Sequence, residues 1–232
     1  MSRSRKYNAG AKGRSRRPFQ SRQGRSPTRL RAGADPKLKK IFSRIGKPAP
    51  SDFVPDPFQL EAVQAAATGD CLVTAPTGAG KTWIAQQVMI SVFETGGRVW
   101  YATPLKALTN AKLAEFSAHF GPEHVGILTG DRKENPNAPI IVGTTEILRN
   151  QLYDAMHRGL ALRTDFVVLD EAHYLGDEDR GVVWEETMIY LPRRIPLLML
   201  SATIGNAHQI AAWLESIRNK PCRVINETRR PV

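Results

Sequence analysis

The octapeptide Ala75-Pro76-Thr77-Gly78-Ala79-Gly80-Lys81-Thr82 limits what this chain can fold into more than any other segment. It follows the short apolar run Cys71-Leu72-Val73 and precedes a stretch from Trp83 to Phe93 that reads as a helix, so strand, loop and helix come in direct succession. Gly78 and Gly80 permit a turn tight enough to aim backbone N–H groups, and the N-terminus of the following helix, at one anion. Thr77, Gly78, Ala79, Gly80, Lys81 and Thr82 thereby form a cradle for a polyphosphate. Lys81 adds a point charge to it, and Thr82 an oxygen ligand for Mg2+.

A second stretch completes the metal site. Asp170-Glu171-Ala172-His173 comes directly after the apolar run Phe166-Val167-Val168-Leu169. Asp170 at the tip of a buried strand would hold Mg2+, and Glu171 beside it would orient the attacking water. Loop and acidic pair together describe a nucleotide-hydrolysing site, with Lys81, Asp170 and Glu171 as its catalytic groups.

The intervening pattern supplies the scaffold. Strands are expected over 71–74, 99–102, 124–128, 140–142, 166–169, 197–200 and 222–225, and helices over 59–68, 81–93, 106–120, 146–157, 183–190 and 207–217. Apolar strands alternating with amphipathic helices imply a mainly parallel sheet with helices on both faces, an α/β class fold. The singled-out motifs follow a predicted strand or open a helix, which gathers them along the carboxyl edge where such sheets bind ligands.

Charge divides the chain differently. Residues 1–50 hold 16 Lys or Arg and one acid, Asp35, a local charge of +15 that leaves −4 for the remainder of a chain whose formal net charge is +11. Residues 1–47 are rich in Arg, Ser, Gly and Lys and contain no Leu, Ile or Val before Leu30. They bury too little surface to offset their ordering entropy, which predicts a disordered basic tail. Such a tail would raise affinity for phosphate backbones without base specificity. A solubilising extension and an organelle-targeting peptide are the other readings of that composition. Residues 48–57 form a proline-rich connector. Cys71 and Cys222 lack metal-ligand spacing and look like small buried residues of a reducing compartment. No stretch has the length of a membrane span or a signal-peptide core, so no membrane partner and a cytoplasmic location are expected.

The Ala75 variant of the loop and the Asp-Glu-Ala-His box resemble superfamily-two helicases of the DExH type. Further residues narrow the likeness: Arg180-Gly181, Trp184-Glu185-Glu186, Ser201-Ala202-Thr203-Ile204-Gly205-Asn206 and the closing Arg230-Pro231-Val232 resemble the superkiller-type (Ski-like) RNA helicases and their bacterial relatives. The resemblance covers residues 58–232 and implies a single RecA-like P-loop NTPase domain, the first of two such domains in a helicase. It implies ATP as the nucleotide, read by Gln59 with Phe58 nearby. It also implies a grip on single-stranded RNA (or DNA) by Thr103, Pro104, Lys106, Gly130, Asp131, Thr144, Thr145 and Arg149, and coupling through His173, Ser201 and Thr203. A second RecA-like domain, in cis or in trans, would supply arginines to the γ-phosphate. Without it the chain is expected to bind nucleotide but hydrolyse it poorly and unwind nothing. A DNA repair-type helicase or translocase, and a non-catalytic nucleic-acid-binding half-motor, remain as alternatives.

Overall fold

The computed structural model describes residues 54–177 and 181–229, so the basic tail, most of the connector, Arg180 and the closing Arg230-Pro231-Val232 lie outside the described residues. Within them the chain runs α1 (Pro57–Thr68), β1 (Asp70–Thr74), α2 (Lys81–Glu94), β2 (Val99–Thr103), α3 (Lys106–Phe120), β3 (Val125–Leu128), β4 (Lys133–Glu134) and β5 (Ile140–Thr144). It continues through α4 (Thr145–His157), β6 (Phe166–Leu169), α5 (Gly181–Tyr190), β7 (Leu197–Ser201), α6 (Ala207–Arg218) and β8 (Cys222–Asn226). Short 3-10 turns cover Pro122–His124 and Ala172–Gly176. The strands form one sheet of order β4-β3-β5-β2-β6-β7-β1-β8, parallel throughout except for β4 against β3.

The sequence reading missed β4. This two-residue strand is exposed on both residues and carries no apolar period to betray it. It is set by the close passage of Asn135 over β3: a Cβ on Gly126 would come within 2.1 Å of Asn135 O. The first helix begins one residue inside the expected connector, because Pro57 is pre-set for a first helical turn and Gln59 Oε1 accepts a hydrogen bond from Asp56 N at 2.8 Å.

Strand alternation sorts the core into two layers. Cys71, Val73, Val99, Tyr101, Ile140, Val142, Phe166, Val168, Leu198 and Leu200 point to one face, where they meet α1, α2 and α3. Leu72, Trp100, Ala102, Ile141, Val167, Leu169, Leu197 and Met199 point to the other and meet α4, α5 and α6. This near-continuous apolar strand composition is what a doubly covered parallel sheet demands.

At the amino end of β1 the sheet is pinned by a buried ion pair. Asp70 is fully buried, and its Oδ2 lies 2.6 Å from Nε of Arg218, the last residue of α6. Arg218 also donates to Leu191 O at 2.8 Å and Ile195 O at 2.7 Å, while Leu197 N donates to Asp70 Oδ1 at 3.0 Å. One carboxylate thus ties β1, the start of β7 and the end of α6 together. Asp70→Asn leaves the guanidinium buried without its counter-charge and is expected to cost about 3–5 kcal/mol, read from urea unfolding. A loss under 1 kcal/mol would contradict this account.

Both cysteines are free and buried, and burial pushes each thiol up to about 12. At pH 8 they are protonated, so iodoacetamide should label neither in the folded chain and both in guanidinium. Prompt labelling of the native protein would show the layers to be more open than described.

Candidate functional site

β1 delivers the chain into the 75–82 loop. Gly78 and Gly80 adopt φ of 87° and 77°, the left-handed region that favours glycine. At Gly80 space is equally restrictive, since a Cβ would come within 2.2 Å of Gln59 Nε2. That amide donates to Ala79 O at 3.0 Å while its oxygen accepts from Asp56 N, so Gln59 braces the loop from beneath. Phe58 is 9% exposed and packs in the α1–α3 core layer, which makes it a packing residue here rather than a free stacking surface. Lys81 Nζ donates to Ala75 O at 2.7 Å and Pro76 O at 3.1 Å, folded back across the mouth of its own loop. Burial lowers the pKa of Lys81, and the nearby charges of Glu171 and Asp170 oppose that shift.

The acidic pair arrives from β6, two strands away across β7. Asp170 Oδ2 accepts a 2.6 Å hydrogen bond from Tyr101 Oη, and its Oδ1 accepts from Glu171 N at 2.9 Å. Burial, then the Asp170 charge, holds the Tyr101 hydroxyl well above its ordinary pKa, so it stays a neutral donor. Each carboxylate oxygen retains a further lone pair. Glu171 takes φ 57°, unusual for a residue with a side chain, and its Oε2 lies 3.3 Å from His173 Nδ1. That contact is an ion-pair distance without hydrogen-bond alignment, for His173 Nδ1 is buried with no hydrogen-bond partner. Ser201 Oγ, at the tip of β7, is likewise buried and unpartnered, while Ser201 O accepts from Ala75 N at 3.2 Å. His173 and the Ile204-Gly205-Asn206 turn line a common cavity of about 310 Å³, whereas Thr203 is exposed. A larger cavity, about 590 Å³, opens at the amino ends of the strands between Val63, Val88, Val92, Phe166 and Pro196, away from these groups.

The residues expected to grip a strand divide. Lys106 and Asp131 are exposed and joined by a 3.0 Å ion pair, with Thr129 Oγ1 donating to the same carboxylate at 2.8 Å. Lys106 and Thr129 hold the Asp131 carboxyl below its usual range. Gly130 is exposed beside them. Thr103, Pro104, Thr144 and Thr145 are buried. Thr103 Oγ1 donates to Leu105 O at 3.1 Å and Thr145 Oγ1 to Thr103 O at 3.3 Å, so these hydroxyls shape the turns rather than face solvent. Arg149 is half-buried against Glu186 of α5, Nη1 to Oε2 at 2.6 Å, which makes it a tether between α4 and α5.

The family model described as DEAD/DEAH box helicase matches residues 56–210. The chain belongs to that family. It is 46% identical over 188 residues to the "DExH-box ATP-dependent RNA helicase DExH15 chloroplastic" of Arabidopsis thaliana, a match covering 78% of this chain and 16% of that protein. It is 40% identical over 200 residues to the "Antiviral helicase SKI2" of Saccharomyces cerevisiae, covering 84% and 15%, and 42% over 202 residues to the mouse "Exosome RNA helicase MTR4", covering 85% and 19%. The chain therefore spans less than a fifth of these relatives. Among solved structures, the DUF1998 helicase MrfA bound to DNA superposes with TM-score 0.60 at 19% identity, over 83% of this chain and 29% of that one. The Pyrococcus furiosus Hef helicase domain gives 0.59 at 22%, over 76% and 38%. The fold is that of a helicase RecA-like domain.

The helicase domain's donor set fits the expected cofactor. Thr82 offers a hydroxyl and Asp170 a carboxylate, hard oxygens suited to a small divalent cation shared with phosphates. Sequence reasoning passed over Tyr101 and Lys112 as functional groups. Lys112 Nζ donates to Thr82 Oγ1 at 2.8 Å. Its signal was spacing, for Lys112 stands between Thr109 and Phe116, the two buried residues of α3, at helical intervals from both. Gly80→Ala combines a clash with a disfavoured φ and should reduce nucleotide binding at least about tenfold. Equilibrium dialysis with labelled ATP measures it, and parental affinity would contradict the strain argument.

Proposed function

We propose that residues 58–232 form the ATP-binding first motor domain of an ATP-dependent RNA helicase. In this reading the domain couples nucleotide binding and hydrolysis to a grip on single-stranded RNA, and unwinds duplexes when joined to a second RecA-like domain. The observation that carries it is that the glycine loop leaves β1 and the Asp170-Glu171 pair leaves β6 at the same carboxyl edge of one parallel sheet, with only β7 between them. Membership of the helicase family and relatives with RNA helicase names support the choice of reaction and strand.

Each residue then has a task. The loop N–H groups and the N-terminus of α2 receive the phosphates, and Lys81 turns from Ala75 O and Pro76 O to the terminal one. Thr82 and Asp170 would hold Mg2+, which when bound would neutralise phosphate charge. Tyr101 holds Asp170 in orientation through its hydroxyl. Glu171 positions the attacking water and accepts its proton, with His173 against its carboxylate. Ser201 Oγ and His173 Nδ1, both awaiting a partner, carry the state of the site towards the strand-binding edge through β7 and the 203–206 turn. Lys106, Gly130 and Asp131 offer the exposed part of that edge. The basic segment 1–47 adds salt-dependent affinity for phosphate backbones.

Lys81→Ala should weaken ATP binding roughly 100-fold by removing a charge-assisted phosphate contact, measured with a fluorescent ATP analogue. Hydrolysis by the 232-residue chain should be slow, since an arginine finger accounts for roughly 10^3 to 10^5 in turnover. Robust RNA-stimulated ATPase activity from it would refute that statement. With a second RecA-like domain supplied, Glu171→Gln should keep ATP affinity and lower turnover about 10^2- to 10^4-fold. Parental turnover removes Glu171 as the base. Matched single strands of RNA and DNA competing for the chain separate the substrates, and preference for DNA would move the assignment to a DNA translocase. RNA binding that ignores nucleotide and vanishes on deletion of residues 1–47 would mark a non-catalytic module instead.

A further inference from the structure

Lys112 lies where a divalent cation is expected to act. Its ammonium donates to Thr82 Oγ1 at 2.8 Å and to Glu115 Oε2 at 3.0 Å, with the side chain 15% exposed. It stands 6.0 Å from the ring centroid of Tyr101, whose hydroxyl holds Asp170. From α2, Gln86 Nε2 donates to Glu115 Oε1 at 2.9 Å, so the carboxylate beside Lys112 is itself fixed. Thr82, Lys112, Glu115 and Gln86 thus make a closed polar bridge between α2, which carries the phosphate loop, and α3, which opens with Lys106.

We infer that Lys112 is a positioning residue that bridges Thr82 and Glu115 and releases Thr82, keeping Glu115, when a divalent cation takes that oxygen, so that the bridge from α2 to α3 follows the state of the nucleotide site. This rests on the assignment of Thr82 and Asp170 as Mg2+ ligands. A hydroxyl oxygen has two lone pairs and can meet both cations in geometry alone. Electrostatics forbids it: an ammonium and a dication sharing one oxygen repel by more than a single hydrogen bond to a neutral acceptor returns. Glu115 offers the displaced ammonium an opposite charge already within reach. The change falls on α3 six residues from Lys106, whose partner is the exposed Asp131.

The test is an Mg2+ titration of the full 232-residue chain at a fixed concentration of fluorescent ATP analogue, repeated with EDTA. Lys112→Met removes the competing charge and should lower the Mg2+ midpoint about tenfold without strengthening binding in EDTA. Lys112→Arg keeps the charge and should stay within about twofold of the parent. If Lys112→Met fails to fold by circular dichroism, Lys112→Gln, which keeps the hydrogen-bond reach without the charge, should give the same shift. Tighter binding in EDTA would indicate relief of strain rather than of charge competition and would overturn the inference. An unmoved midpoint in a folded, charge-free variant overturns it too, provided Lys81→Ala loses binding. If Lys81→Ala binds like the parent, the nucleotide-site reading itself falls and takes the Lys112 inference with it.

Discussion

The phosphate loop and the acidic pair leave strands that are not neighbours. β7 stands between β1 and β6, so a ligand shared by Lys81 and Asp170 would have to lie over its tip, which favours a low tip. Ser201 satisfies this with a small side chain and a backbone carbonyl that receives Ala75 N. The same position leaves Ser201 Oγ buried with no protein hydrogen-bond partner among the described residues. β7 is hydrogen-bonded to both flanking strands, which makes it the element that joins the loop strand to the acid strand.

Order of motifs and apolar runs made the sheet readable, because a buried parallel strand and a glycine loop leave few alternatives once their succession is known. Seven strands and six helices were legible to within a residue or two. β4 was not, since two exposed residues paired on an edge have no periodic signal. The candidate site's placement was legible where local spacing sets it, as in the left-handed turns at Gly78 and Gly80 and the position of Asp170-Glu171 directly after β6. It was illegible where a side chain acts across the sheet. Tyr101 reads as one more apolar strand residue until β6 is placed beside β2 with Tyr101 opposite Val168.

Several residues that the resemblance assigns to the strand or the nucleotide have side chains already engaged by the fold. Thr103, Thr144 and Thr145 stand at strand ends, and their hydroxyls or methyl groups are spent on local packing. Arg149 looked free on its helix, yet α4 lies against α5 and Glu186 claims it. Phe58 was similarly absorbed by the layer beneath the loop. What remains exposed at that edge is a small set, Lys106, Gly130 and Asp131, and backbone groups of the turns behind them.

Asp70 and the glycine turn occupy opposite ends of the same five-residue strand. β1 is therefore held at its root by a desolvated guanidinium and along its whole length by β7 and β8, and only beyond Thr74 does the chain pass to Gly78 and Gly80, whose left-handed torsions are open to few other residues. Anchorage and turn are thus separated by the length of one strand.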